Sequence, residues 1–123
     1  MAQIEFDLTF YCFLKAIAWF NLGKYEEAIE NCDKAIDLNL QYAEPYNIKG
    51  NCLASLKEYE SAIDSYDMAI RAKNTYASPY WNKALVLNLQ RKPEESGRWL
   101  LLAIELNPEL ESLSRQDSYH FEK

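Results

Sequence analysis

A 34-residue period runs through the chain: Ile36, Ile70 and Ile104 recur at that spacing, as do Ala35, Ala69 and Ala103, and Lys15, Lys49 and Lys83. At the same step Ala16 is followed by Gly50 and Ala84, Ala28 by Ala62 and Ser96, and Pro45-Tyr46 by Pro79-Tyr80. Such a recurrence restricts the fold to stacked copies of one supersecondary unit, each unable to bury its apolar side without a neighbour. Three copies occupy 9–42, 43–76 and 77–110 of a single domain over 1–123, with 111–123 left as a capping segment and tail. Each copy has room for two helices. In the second, helix A is expected at about 45–56 and helix B at about 60–71, with apolar or small residues three and four positions apart.

Three glycines and four prolines are too few for the turns of a small β-sandwich or barrel, which leaves an all-α fold. Ser78 is placed to cap a helix opening with Pro79, whose missing amide would have no partner there. Gly23 is expected just past the first A helix in the left-handed conformation, a place that Lys57 and Arg91 take less favourably in the later copies. The columns Ala16/Gly50/Ala84, Ala28/Ala62/Ser96 and Ala35/Ala69/Ala103 let helix backbones approach closely. Larger residues, among them Cys12/Tyr46/Tyr80, Trp19/Leu53/Leu87 and Cys32/Tyr66/Leu100, fill the seams.

The spacing Tyr46, Gly50, Leu53, Tyr59, Ala62, Tyr66, Ala69, with Pro108 closing the third copy, resembles the tetratricopeptide repeat. The resemblance implies a right-handed α-solenoid of three helix-turn-helix repeats plus a partial C-terminal helix, its A helices lining a groove that holds a segment of a partner protein. The sequence departs from the family pattern at Leu40 and Asn74, where a closing proline is usual, at Pro93, in the column of Tyr25 and Tyr59, and at Gly97 inside the third B helix. The third copy is therefore expected to be the least regular. Cochaperone members of the family grip a C-terminal carboxylate with Lys, Asn and Arg on successive A helices. The matching positions here are Phe13, Ile17, Ile48, Ser78 and Asn82, which offer no cation, so that activity is not carried over.

Nineteen acids against thirteen bases give a net charge of −6, a field that repels phosphate and anionic headgroups, so neither nucleic acid nor membrane is an expected partner. The apolar run 8–20 is interrupted by Lys15 and is too short to span a bilayer. His120, the single histidine, lies near the end of the chain; the adjacent acids Glu26-Glu27 and Glu94-Glu95 diverge on a helix; and there is no Gly-rich phosphate loop. No catalysis, metal or cofactor is expected. Cys12, Cys32 and Cys52 are odd in number, form no CxxC pair and suit core packing in a reducing cytoplasm. Lys15, Lys49 and Lys83 are expected to lay their stems over apolar neighbours and keep their ammonium groups in water.

Opposite the small-residue seam, the A helices present the columns Phe13/Asn47/Trp81, Ile17/Asn51/Leu85 and Leu14/Ile48/Asn82. Phe13, Ile17, Ile48, Trp81 and Leu85 are candidate apolar anchors for a partner segment, with Asn47, Asn51 and Asn82 as amide contacts to its backbone. Phe6, Phe10, Phe13 and Ile17 make one side of the first helix apolar although no earlier copy covers it; residues 1–8 folding back, a second chain or a larger partner could do so. Two classes of function follow: an adaptor that captures another protein reversibly, or a constitutive structural subunit or homo-oligomer built on the first helix. Beyond Pro108, residues 109–115 begin like another A helix, with Leu110 and Leu113 to dock it and Tyr119 and Phe121 further along.

Overall fold

The computed structural model describes residues 2–112, with side chains from residue 8 onwards. The expectations placed on the Phe6 side chain, Leu113, Tyr119, His120 and Phe121 lie outside the described residues. Six helices follow in order: α1 (Ala2–Asn21), α2 (Tyr25–Leu38), α3 (Ala43–Ser55), α4 (Tyr59–Ala72), α5 (Ala77–Leu89) and α6 (Pro93–Leu106), with helical backbone resuming at 109–112. The boundaries keep the sequence period: α2, α4 and α6 open at 25, 59 and 93, and α3 and α5 at 43 and 77. Helices pack as the pairs α1/α2, α3/α4 and α5/α6, and each pair stacks on the next, an all-α repeat solenoid.

Two local expectations are corrected. Residues 2–8 do not fold back over the first helix; they prolong it, because α1 opens at Ala2 and not near residue 9. Ser78 does not cap α5. Tyr76 and, in α3, Tyr42 are the last extended residues before the helix, which makes Pro79 and Pro45 third helical residues. A proline fits there for the reason it fits at the first position: the first four amides of a helix have no intrahelical acceptor.

The A–B seam is built as the small residues require. Ala16, Ala28, Ala35, Ala62, Ala69 and Ala103 are fully buried. Gly50 lies against the ring of Tyr66, whose hydroxyl donates to Asn51 Oδ1 at 2.6 Å. Where the third copy has Ser96 for alanine, its hydroxyl donates to the Ala84 carbonyl at 2.7 Å, so the extra polar atom is satisfied. α6 runs unbroken through Gly97, and the irregularity of the third copy is one of coverage: Ala103 is the one buried residue of α6, while Leu101 is 68% exposed. The tyrosines of the later copies also staple the turns before them, Tyr46 Oη donating to the Leu40 carbonyl and Tyr80 Oη to the Asn74 carbonyl.

The A-to-B turns share one closure. Gly23, Lys57 and Arg91 stand at φ 75, 64 and 63°, and the next residue's amide reaches back to the carbonyl of Trp19, Leu53 or Leu87 at 2.8–2.9 Å, the Schellman ending of a helix. The lysine and arginine carry a Cβ penalty that Gly23 avoids. Lys57→Gly and Arg91→Gly are each expected to raise stability by about 0.5–1 kcal/mol, and to do so additively, in thermal melts; Gly23→Ala is expected to lower it by a similar amount.

Candidate protein-binding surface

The curvature of the solenoid follows from which helices meet across repeats. α1 touches α3 and α3 touches α5, whereas no such contact joins α2 to α4 or α4 to α6, so the A helices lie on the inner side. On that side Asn47 Nδ2 donates to Tyr76 Oη at 3.3 Å, and Asn82 Nδ2 donates to Asn47 Oδ1 at 3.1 Å. Asn47 is only 4% exposed, so it acts as an internal strut between α3 and α5. Asn51 and Asn82 are half-buried and each spends one polar atom inside the fold. Among the described residues no further hydrogen bond is made by Asn51 Nδ2 or Asn82 Oδ1, which leaves an amide donor group and an amide acceptor open.

The apolar columns divide in the same way. Phe13 is drawn into a core cluster with Cys12 and Ala35, its ring edge-on to Tyr42 with centroids 5.2 Å apart. Ile17 and Ile48 pack at the margin of that cluster; Trp81 is half-buried, and Leu85 and Leu14 are exposed. The open apolar surface of the inner side is thus Leu14, Ile17, Ile48, Trp81 and Leu85, with Phe10 at its N-terminal end. Beside Phe10, a cavity of about 280 Å³ is lined by Thr9, Asn39, Tyr42 and Glu44. Burial, and then the Glu44 carboxylate, push the Tyr42 phenol up to about 12. Burial likewise raises Tyr76, opposed by the hydrogen bond from Asn47. Both phenols are therefore neutral at physiological pH.

The lysine column behaves differently from expectation. Lys49 Nζ lies 2.7 Å from Asp33 Oδ1 and Lys83 Nζ 2.7 Å from Asp67 Oδ1, each joining an A helix to the B helix of the preceding copy. The acids Asp33 and Asp67 themselves sit 34 residues apart, a recurrence the reading of the sequence overlooked and the one signal that could have revealed the pairs. Cys12, Cys32 and Cys52 are buried free thiols; burial pushes Cys32 up to about 12 and Cys52 to about 11, which keeps both protonated and unreactive. Among the described residues no group of three or more His, Cys, Asp or Glu is placed to hold a metal, and no helix is long and apolar enough to cross a membrane.

A sequence profile of the tetratricopeptide repeat matches residues 13–77. Solved structures share the fold: the first tetratricopeptide domain of Spaghetti (RPAP3) bound to the HSP90 peptide SRMEEVD is 21% identical, with a TM-score of 0.82 over 95% of this chain and 98% of that one. The same domain of human RPAP3 gives a TM-score of 0.79 at 21% identity, over 91% and 94% of the two chains. The type III secretion translocator chaperone SycD of Yersinia enterocolitica, in an alternative dimer, gives 0.83 at 24% identity over 94% and 90%. No curated protein sequence matches. Repeat period, helix boundaries and profile agree: this chain belongs to the tetratricopeptide repeat family, whose fold serves as a protein–protein interaction module.

Proposed function

We propose that the chain is a cytoplasmic adaptor that holds a segment of another protein along its inner face, with Ile17, Ile48, Trp81 and Leu85 as anchors and Asn51 and Asn82 as backbone contacts. Phe13 and Asn47 support the face from beneath. The observation that carries this reading is that Asn51 and Asn82 each keep an amide group open on the same A helices that leave Ile17, Ile48, Trp81 and Leu85 partly or wholly exposed, the mixture an extended backbone needs. The first tetratricopeptide domain of Spaghetti is bound to the HSP90 peptide SRMEEVD, which has three acids among its last four residues. Here the clamp positions Phe13, Ile17, Ile48, Ser78 and Asn82 hold no cation and Glu44 adds a negative charge nearby, which disfavours a carboxylate as ligand. Peptides selected from a random display library on the immobilised chain are expected to be apolar and to bind equally at low and high salt. Trp81→Ala is expected to cost them about thirtyfold in affinity, and Asn51→Ala less. Selection of peptides with acidic C-termini, whose binding falls with salt, would refute this reading.

The exposure of Phe10 favours a second reading, in which chains associate through the inner edge of α1. SycD is described as a dimer, which agrees with such use of the fold. In that case light scattering shows a mass above one chain, and Phe10→Glu lowers it.

A further inference from the structure

The period also identifies the surface by which each A helix meets the copy before it. In α3 this face contains Pro45, Lys49 and Cys52, and in α5 Pro79, Lys83 and Val86; the prolines, Cys52 and Val86 are all buried there. The equivalents on α1 are Tyr11, Lys15 and Ala18, continued by Leu8 and, just past the end of the helix, by Leu22, and no helix among the described residues covers them. Tyr11 is 56% and Leu22 70% exposed, and a groove of about 220 Å³ lies along Lys15, Ala18, Trp19 and Leu22. The stripe from 8 to 22 runs about 21 Å, four helical turns. Its centre stands about a quarter-turn round the helix axis from Leu14 and about a third of a turn from Phe10, so the inner edge of α1 borders this stripe on one side.

Lys15 specifies the occupant. Its column-mates Lys49 and Lys83 are each held at 2.7 Å by an aspartate on the covering helix. Lys15 has no carboxylate partner among the described residues; its ammonium stands 5.5 Å from the Tyr11 ring. We propose that this face of α1 receives an amphipathic helix of a partner protein, carrying a carboxylate opposite Lys15 where α2 carries Asp33 and α4 carries Asp67. A second copy fits poorly. Stacked end to end it would bring α6, whose residue in the aspartate column is Leu101, and pairing two α1 faces would set Lys15 against Lys15.

The probe is a helix-stapled, fluorescent peptide with the α4 sequence Tyr59–Ala72, titrated into the full chain. Saturable binding is expected, weakened about fivefold by Asp67→Asn in the peptide, and about equally by Lys15→Ala in the chain, with no further loss when the two changes are combined. Leu22→Glu is expected to abolish binding while the circular dichroism stays unchanged, and Trp81→Ala to leave it intact, separating this face from the inner groove. Absence of saturable binding, or equal affinity of the Asp and Asn peptides, overturns the proposal. So does a wild-type chain whose sedimenting mass is doubled and returns to that of one chain with Leu22→Glu, which would put a second copy on this face.

Discussion

Gly50→Ala is expected to lower stability by about 2–3 kcal/mol in denaturant unfolding, far more than a single methyl group in a helix would suggest. Alanine is the better helix former, so propensity alone predicts a gain of up to about 1 kcal/mol. Packing reverses the sign. An added Cβ would stand 2.7 Å from Tyr66 Cδ1 and 2.9 Å from Cζ, against a ring that is 1% exposed and pinned through its hydroxyl to Asn51. The ring can neither swing into solvent nor slide along the seam without losing that bond. The same column tolerates Ala16 and Ala84 because the residues across the seam there are Cys32 and Leu100. Tyr66→Leu should therefore cost less in the Gly50→Ala background than in the wild type, with a coupling of at least about 1 kcal/mol. Additive effects would show that the ring does not limit the approach of α3 and α4.

The two lysine–aspartate pairs have the same 2.7 Å separation and should nonetheless differ several-fold in worth. Lys83 is nearly buried and Asp67 two-thirds so, and the ammonium also lies 3.7 Å from the Trp99 ring centroid. Asp67→Ala strands a desolvated cation and is expected to cost about 2–3 kcal/mol, little relieved by salt. Lys49 and Asp33 are far wetter, and Asp33→Ala should cost under about 1 kcal/mol, less still at high ionic strength. Equal losses would mean that the distance, and not the burial, sets the strength of these links.

The helices, their period and the small-residue seam were legible because each signal repeats in several columns at once, and repetition filters chance. What stayed hidden depends on single copies. Phe13 reads as a groove residue from its column-mates Asn47 and Trp81, yet Tyr42 turns onto it in the first copy and takes it into the core. Asn47 reads as a surface amide, since nothing local reveals that the Tyr76 hydroxyl, 29 positions away, will satisfy it. The aspartate column recurs only once before Leu101 ends it, too short a run to stand out. Ser78 was misplaced for another reason: a proline marks the first turn of a helix without saying which residue of that turn it occupies.

Each helix of this chain touches only helices one or two steps away in sequence. Forming the native contacts therefore closes no long loop, which places the chain among fast folders with low contact order. It also means that, among the described residues, no contact ties the first helices to the last. α5 and α6 can come apart while α1 to α4 stay packed, and α6, with one buried residue, packs on α5 alone among the described helices. Amide hydrogens of α3 and α4, flanked on both sides, then exchange only through the rarest openings, whereas those of α6 exchange through frequent local ones. The stability of the chain is a gradient along its length, and a ligand lying across the inner ends of α1, α3 and α5 would slow the opening of the loosest repeat most of all.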